Sequence, residues 1–259
     1  DPEHRFKGHL MRVQTSDHIS LWDASTAEDK FVSSLDGNLN CDVAIVGGGF
    51  TGLSTALHAA ERGIRCHVFE ANQIGFGGSG RNAGLVNAGM WLPPADVEQK
   101  LGKVRGGALV RSLGDAPEYV FSLIERFQIR CEVSRSGTIH AAHAPKGLDE
   151  LRRRADTWQK LGAPVELLSR EQATKIIGTH AFHGGLLDHR AGTINPMSYV
   201  RGLARAANAA GAGRGAARAA GGAAPARPAR GARHELHPHL TTKQFPVARQ
   251  RRLRGVCRV

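Results

Sequence analysis

The sequence predicts an α/β fold, and this prediction rests on three features of one stretch, residues 41–70. A short apolar run rich in β-branched residues, Val43–Val46, is typical of a parallel strand that is buried on both faces. A glycine-rich turn and an amphipathic helical pattern follow this run. A second predicted strand, 65–69, then ends in the acidic residue Glu70. A strand, a helix and another strand in this order predict a βαβ unit.

The glycines of the turn have the spacing G-x-G-x-x-G. Gly47 permits a tight turn, Gly49 lets the backbone approach a pyrophosphate, and Gly52 lets the helix pack closely on the strand. The N-terminus of the helix adds unpaired N–H groups and the positive end of a dipole, and both favour a phosphate group. The stretch therefore predicts a Rossmann-type dinucleotide-binding unit rather than an ordinary glycine turn.

The acidic residue at the end of the second strand indicates which dinucleotide binds. Glu70 follows Gly52 by 18 residues, a position from which a carboxylate accepts hydrogen bonds from ribose hydroxyls. No basic residue adjoins it, and its charge would repel the 2′-phosphate of NADP. The pattern favours FAD or NAD.

A second glycine-rich segment, 75–89, follows the acidic strand end and contains too much glycine for a long helix or strand. Its backbone N–H groups and polar side chains suit an anionic pyrophosphate or the edge of a flavin. The alternative is a flexible surface loop. We predict that this segment binds the cofactor through four residues: Ser79, Gly80, Arg81 and Asn82.

The rest of the chain alternates helices with strands of antiparallel character. Helical spacing covers 95–128, where Pro117 is expected to break or restart the helix. A hairpin is predicted at 129–143, with its first strand at 129–133, and an amphipathic helix at 147–161.

Further helix signals follow the amphipathic helix. Ser169 and Gln172 have capping-box spacing before a short helix, 182–187 is a candidate strand, and Pro196 suits the first position of a helix ending near 209. This order predicts a nucleotide-binding domain interrupted by a second, substrate-facing α+β domain.

Four regions result from this pattern. We expect an N-terminal arm at 1–40, which docks through Ile19, Leu21 and Trp22, and a βαβ unit with its glycine-rich loop at 41–94. A helical segment and a partial substrate domain span 95–208. A tail rich in Ala, Gly, Arg and Pro, 209–259, lacks the apolar content to fold and is expected to be disordered.

The charge is concentrated in the tail, which carries +10 of the net +12 and leaves +2 for residues 1–208. A basic tail raises nucleic acid as a partner. Its only aromatic residue is Phe245, which leaves little to stack on bases, so we expect no nucleic-acid partner.

Cysteines and histidines give no sign of a metal centre. The four cysteines form no CxxC pair, which fits free thiols in a reducing cytoplasm. His140 and His143, like His180 and His183, are three residues apart, and this spacing on a strand places side chains on opposite faces. We expect no metal site, and no apolar run is long enough for a membrane span.

Several motifs now described resemble those of one family. They are the LW pair at Trp22, DVAIVGGGFTGLSTALHAAERG, IGFGGSGRNAGLVNAG, SGTIHAAH and GGLLDHRAGTINPMSYVRGLARAA. The chain resembles FAD-dependent amine and amino-acid oxidoreductases of the D-amino-acid-oxidase type, and among them the gamma-glutamylputrescine oxidoreductase branch. The resemblance covers about residues 19–208.

This resemblance implies a flavoenzyme that binds FAD through Gly47, Gly49, Gly52 and Glu70, with the loop at 79–82 along the pyrophosphate and flavin. Members of the family transfer a hydride from the carbon that bears an amine to the flavin, so the implied substrate is a small amine or amino acid. The resemblance assigns no catalytic residue. A non-catalytic dinucleotide-binding fragment and an NAD-dependent oxidoreductase remain the alternatives.

The chain departs from the family pattern after about residue 209. Residues 211–233 consist only of Ala, Gly, Arg and Pro, as a GC-rich gene translated out of frame would give. A natural linker and a basic RNA-binding tail are the alternatives. Because the family's later strands are not recognisable here, we expect a truncated chain that is not an active oxidase.

Overall fold

Three sheets and the helices packed on them make up the part of the chain that the computed structural model describes, residues 20–30, 40–216 and 242–246. The helices are α1 (Leu21–Ser25), α2 (Phe50–Ala60), α3 (Pro94–Arg126), α4 (Pro145–Lys160), α5 (Arg170–Ile177) and α6 (Pro196–Ala209). The strands are β1 (Val43–Val46), β2 (Cys66–Glu70), β3 (Leu85–Val86), β4 (Thr138–Ala142), β5 (Val165–Leu168), β6 (Gly185–Asp188), β7 (Gly192–Thr193), β8 (Gly213–Ala216) and β9 (Thr242–Pro246).

The predicted βαβ unit is present. Strands β1 and β2 pair in parallel with Val43 opposite Cys66, and β8 pairs in parallel with the other edge of β2. Helix α2 connects β1 to β2 and buries Leu53, Ala56 and Leu57, the apolar face that its spacing predicts. Helix α6 packs on α2, so it belongs to the same core although the sequence analysis grouped it with 95–208.

The burial predicted for β1 is wrong. Ile45 is buried, but Val43 is 37% exposed and Val46 is 89% exposed. Within the described residues, β1 lies at the edge of its sheet and pairs only with β2. An apolar run alone does not show how many faces of a strand are covered, because that depends on elements elsewhere in the chain.

A four-stranded sheet in the order β5-β6-β4-β9 forms the second layer, and all its pairings are antiparallel. Helix α4 packs on it through Leu151, Ala155 and Trp158. The short antiparallel pair of β3 and β7 joins the second glycine-rich segment to the loop before α6.

The predicted hairpin at 129–143 is half correct, since β4 forms but 129–133 is not a strand. Gln128 and Glu132 have φ angles of 50° and 52°, which turn the chain away from an extended course. The Cys131 carbonyl accepts a hydrogen bond from the Asn195 N–H at 2.7 Å, and Ser134 pairs with Thr193. This segment is therefore held by the loop before α6 and not by a neighbouring hairpin strand.

The predicted helix break at Pro117 does not occur, since α3 continues through it and kinks instead at Gly102, whose φ is 78°. A proline in a helix leaves the carbonyl four residues earlier without its usual donor. Here that carbonyl belongs to Leu113, and it accepts a hydrogen bond from the Gly89 N–H at 2.8 Å. A donor from another segment thus compensates for the missing bond.

The helix-start signals are confirmed. Ser169 and Gln172 form both hydrogen bonds of the capping box before α5, and Pro196 occupies the first turn of α6.

Strands β8 and β9 fall within the tail that was predicted to be disordered, so that prediction does not hold for them. Residues 217–241 and 247–259 lie outside the described residues. None of the described helices combines the length and apolar character needed to cross a bilayer.

The N-terminal arm, here residues 20–30, lies along α6 and is fixed by two acidic residues. The Glu28 carboxylate is buried and accepts two hydrogen bonds from Arg205, at 2.9 and 3.0 Å, and one from the Arg130 N–H at 3.0 Å. Asp23 pairs with Arg201, whose side chain is only 3% exposed. Trp22 is half-buried against the core, whereas Leu21 is exposed and Ile19 lies outside the described residues.

The turn between β1 and α2 leaves no space for a side chain at its third glycine. Gly47 has a φ of 105°, and its N–H donates to the Phe69 carbonyl at 2.8 Å. A Cβ at Gly52 would lie 2.1 Å from the Gly47 carbonyl oxygen. The helix therefore approaches the turn at a distance that only glycine allows.

We predict that Gly52→Ala destabilises the chain by about 3 kcal/mol, the upper end of the usual cost of overpacking, because the colliding atom belongs to the main chain. Gly78→Ala is the matched control, since a Cβ there meets no atom within 4 Å. Urea denaturation followed by circular dichroism measures both. Equal stability of the two variants would contradict the tight turn.

A second prediction concerns pH. Burial raises the pKa of Glu28, but hydrogen bonds from Arg205 and the Arg130 amide outweigh it and hold the pKa below the usual 4.5. A lowered pKa contributes stability that is fully present above the unfolded-state pKa and disappears as the pH falls through the folded-state value. We expect Glu28→Gln to be less stable than the wild type by about 2 kcal/mol at pH 7, and the difference to shrink as the pH falls below 4.5. A difference that does not change with pH would contradict the assignment.

Candidate functional site

The two glycine-rich segments meet at the N-terminus of α2. The Ser79 hydroxyl oxygen accepts a hydrogen bond from the Phe50 N–H at 3.0 Å. A Cβ on Gly49 would lie 2.8 Å from the same oxygen. The structure thus brings together Gly49 and Ser79, which the sequence analysis predicted separately, and it places an oxygen atom where the helix dipole favours a negative partner.

Glu70 lies against the same turn, at the carboxyl end of β2. Its Oε2 accepts a hydrogen bond from the Gly48 N–H at 2.7 Å, and its Oε1 accepts one from the Asn72 N–H at 2.9 Å. The carboxylate is therefore held within one residue of Gly47 and Gly49. Glu70 lies at the strand end, as its spacing predicts, and it also contacts the glycine turn directly.

Asn82 organises the second glycine segment from within. Its Nδ2 donates to the carbonyls of Gly78 and Ser79 at 3.1 and 2.9 Å, and its Oδ1 accepts from the Gly84 N–H at 2.8 Å. These three bonds fix the loop that presents Ser79 to α2. The segment is consequently an ordered loop and not the flexible surface loop considered as the alternative.

Gly80 and Arg81 differ in burial, since Gly80 is buried and Arg81 is exposed. Gly80 is buried, and a Cβ there would lie 2.3 Å from both the Gly75 carbonyl oxygen and Met197 Cε of α6. The exposed Arg81 side chain stacks its guanidinium over the Phe76 ring, 4.5 Å from the centroid. Gly80 therefore shapes the loop, while Arg81 lies on its outer side.

A cavity of about 430 Å³ begins at the N-terminus of α2 and lies between α2, α3, α6 and the second glycine segment. Its size falls within the range of small-molecule sites. The walls are mainly apolar and aromatic, with a few amides and hydroxyls, formed by Phe50, Thr51, Ser54, Asn82, Gly84, Leu85, Val86, Asn87, Ala116, Pro117, Tyr119, Val120, Leu123, Ile194, Tyr199 and Leu203.

Aromatic residues that the sequence analysis missed form part of this cavity. The rings of Phe50 and Tyr199 lie 5.3 Å apart between centroids, and burial raises the pKa of the Tyr199 phenol, so it stays neutral at physiological pH. Their separation in the chain hides the pair from local sequence patterns. The fold alone places α6 against the start of α2.

The antiparallel sheet also reaches the cavity. The buried Thr138 of β4 donates from its hydroxyl to Asn87 Oδ1 at 3.0 Å, and Asn87 is part of the cavity wall. Further along the same segment, the Met90 and Trp91 carbonyls accept hydrogen bonds from the buried Arg154 of α4 at 2.5 and 3.3 Å. The second sheet therefore positions the segment that follows the glycine-rich loop.

A chain of hydrogen bonds extends from Tyr119, which lines the cavity, to the end of α2. The Tyr119 hydroxyl lies 2.6 Å from His58 Nε2, and His58 Nδ1 lies 3.0 Å from Glu61 Oε2. Arg126 pairs with Glu61 at 2.5 Å. The hydrogen bond from His58 is the largest effect that lowers the pKa of Glu61. Because His58 belongs to α2, Glu61 directly follows that helix, and Tyr119 and Arg126 belong to α3, these bonds join the two helices.

The histidines do not gather into a metal-binding group. Across residues 20–30, 40–216 and 242–246, no three side chains of His, Cys, Asp or Glu lie together as metal ligands would. His140 is half-buried in β4, where desolvation lowers its pKa to about 4, so it is neutral at physiological pH.

The site has the parts that a dinucleotide requires. The N–H groups of Gly48 and Phe50 both donate to oxygen acceptors, as they would to phosphate oxygens. A carboxylate lies beside them, and a cavity of suitable size adjoins the helix N-terminus. Gly47, Gly49, Gly52, Glu70 and Ser79 come together in one place, and Asn82 reaches the cavity beside them.

Comparisons with known proteins agree with this geometry. Residues 42–214, more than half of the chain, match the model of the DAO family, described as FAD dependent oxidoreductase. The chain is 36% identical over 196 residues to gamma-glutamylputrescine oxidoreductase of Escherichia coli K12, a match that covers 74% of this chain and 45% of that protein.

Solved structures show the same fold. Glycine oxidase from Geobacillus kaustophilus superposes with a TM-score of 0.57 at 27% identity and covers 68% of this chain and 46% of that one. L-amino acid deaminase from Proteus vulgaris, at 18% identity, has a TM-score of 0.55, with 72% and 42% covered, and shows the fold alone. The chain spans about half the length of these proteins or less. The family match and the glycine-turn geometry together establish that this chain belongs to the DAO family of FAD-dependent oxidoreductases.

Proposed function

We propose that this chain binds FAD at the glycine turn and serves the oxidation of an amine or an amino acid. The observation that carries the proposal is the convergence of Glu70 and Ser79 on the N–H groups at the start of α2. Proteins of the DAO family bind FAD, which favours FAD over the NAD that the sequence pattern alone left open.

Each part of the turn has a distinct role in this proposal. The Gly48 and Phe50 amides and the dipole of α2 attract the pyrophosphate, and the Glu70 carboxylate accepts hydrogen bonds from the adenosine ribose. Both amides already donate to oxygen atoms of the protein, so binding exchanges one acceptor for another.

The cavity suits the rest of the cofactor. Its apolar and aromatic walls match a flat ring system, and the amide groups of Asn82 and Asn87 offer donors and acceptors to polar ring edges. When bound, FAD supplies a hydride acceptor, and the residues around it hold it in place and exclude water.

Relatives support the proposed substrate class. The protein of E. coli that matches this chain is named for the oxidation of gamma-glutamylputrescine, and the structure from G. kaustophilus is a glycine oxidase. Both names denote compounds with an amine. Because the chain spans about 45% of the first protein and 46% of the second, its substrate and activity are inferred from the family.

Cofactor content and turnover test the proposal separately. We expect protein purified with added FAD to be yellow and to release flavin on denaturation, as measured by absorbance. An NAD-dependent enzyme would release no flavin. Amine-dependent peroxide formation or dye reduction then tests oxidation, and a protein that retains flavin without turnover with any amine or amino acid would be a dinucleotide-binding chain.

The role of Glu70 gives a direct prediction. Hydrogen bonds to a charged acceptor contribute about 1.5–3 kcal/mol each, so Glu70→Ala should weaken FAD binding at least about tenfold. Asp42→Ala is the matched control, because Asp42 pairs with Arg65 at the opposite end of the same two strands. Fluorescence titration with FAD measures both dissociation constants.

The two variants separate a role in binding from a role in folding. Asp42→Ala should bind FAD as the wild type does, and the two variants should unfold at similar urea concentrations. If Glu70→Ala binds FAD with unchanged affinity, Glu70 does not contact the ribose and the proposed orientation of the cofactor is wrong.

A further inference from the structure

We propose that the N-terminal arm, residues 20–30, positions the cofactor loop, residues 78–84, and that Trp22 is the positioning residue. This inference rests on the proposed function, since it assigns a role to the arm in FAD binding. No part of the arm belongs to the glycine turn or to the cavity wall. The arm therefore acts through the loop.

The contact between arm and loop is a directed hydrogen bond. The Trp22 indole N–H donates to the Asn82 carbonyl oxygen at 2.8 Å. Asn82 is also the residue whose side chain makes the three bonds that fix the loop. Trp22 thus holds the backbone of the residue that organises the loop. A second, longer contact joins the Ser20 hydroxyl to the Gly80 carbonyl at 3.5 Å.

The arm is firmly anchored on α6, so it can hold the loop in place. Thr26 Oγ1 lies 2.9 Å from Ser198 Oγ, and the Ala27 N–H donates to the same oxygen at 3.2 Å. Asp23 pairs with Arg201, and Glu28 pairs with Arg205 one helical turn later. Anchored in this way, the arm resists displacement when the loop moves.

Docking of the arm on α6 is strongly favoured because the arm supplies the partner of a buried charge on that helix. The Arg201 side chain is only 3% exposed, and without Asp23 it would be a buried cation without the partner it has here. Removal of one member of a buried ion pair is far more costly than loss of a surface pair. The arm is consequently part of the folded core and not an optional extension.

The loop is held from its other side by the same helix. A Cβ at Gly75 would lie 3.0 Å from Met197 Sδ, and one at Gly80 would lie 2.3 Å from Met197 Cε. The Asn195 side chain that caps α6 also donates to Ser25 Oγ at 3.1 Å. The loop therefore lies between Trp22 and Met197, and both are fixed relative to α6.

This arrangement predicts how the arm acts on binding. The loop keeps Ser79 and Asn82 beside the start of α2 only while it holds this conformation, and the Trp22 bond restricts its freedom. Ordering a loop before binding reduces the entropy lost on binding. Loss of the Trp22 bond should leave the fold intact, loosen the loop and weaken FAD binding.

Trp22→Phe tests the proposal, because it removes the indole N–H and keeps an aromatic ring for packing. Trp91→Phe is the matched control, since Trp91 is 76% exposed. Amide hydrogen exchange is measured on the full chain without FAD, in peptides covering 78–84 and 43–60. FAD affinity is measured on the same three proteins by fluorescence titration.

We expect Trp22→Phe to speed exchange in 78–84 by roughly two- to tenfold, the change that corresponds to one net hydrogen bond, with 43–60 unchanged. FAD affinity should fall by a similar factor. Trp91→Phe should match the wild type in both. If Trp22→Phe does not fold, Ser20→Ala, which removes the second contact between arm and loop, serves for the same comparison.

The outcomes also separate this inference from the proposed function. Faster exchange throughout the chain, or unchanged exchange in 78–84, overturns the positioning role. Loosening of the loop without loss of FAD affinity shows that the arm does not act on binding and also overturns the inference. If the wild-type chain binds no FAD, the proposed function fails and the inferred role in binding fails with it, while the exchange result still decides whether Trp22 orders the loop.

Discussion

The close approach of α2 to the turn before it is the constraint on which the rest of the site depends. With Gly52 against the Gly47 carbonyl, the helix begins directly at the carboxyl ends of β1 and β2. Its first amide therefore faces Ser79, while Glu70 reaches the turn from the neighbouring strand. A larger residue at position 52 would move the helix away and separate these groups.

The other elements that form the site are joined to α2 and to one another by contacts between residues far apart in the sequence. Helix α6 packs on α2 and carries the arm through Arg201 and Arg205. The arm holds the Asn82 carbonyl, and the buried Thr138 of the antiparallel sheet holds Asn87. The cavity between these elements has walls from four regions of the chain. Its shape is thus a property of the whole described fold and not of the glycine motif alone.

Local chemistry explains which features the sequence could predict. The glycine spacing, the apolar face of α2, the capping box at Ser169 and the position of Glu70 depend on neighbours within about 20 residues. The exposed face of β1, the uninterrupted helix at Pro117 and the Phe50–Tyr199 pair depend on distant partners. At Pro117 the decisive donor is Gly89, which no pattern within the helix reveals.

The central claim is that the amides at the start of α2 bind the pyrophosphate of FAD. Amide chemical shifts in a ¹⁵N-labelled chain, recorded while FAD is added, test this most directly, because each amide reports its own surroundings. We expect the largest changes at Gly48, Phe50 and residues 79–82. Changes confined to the antiparallel sheet, or no saturable change at the glycine turn, would contradict it.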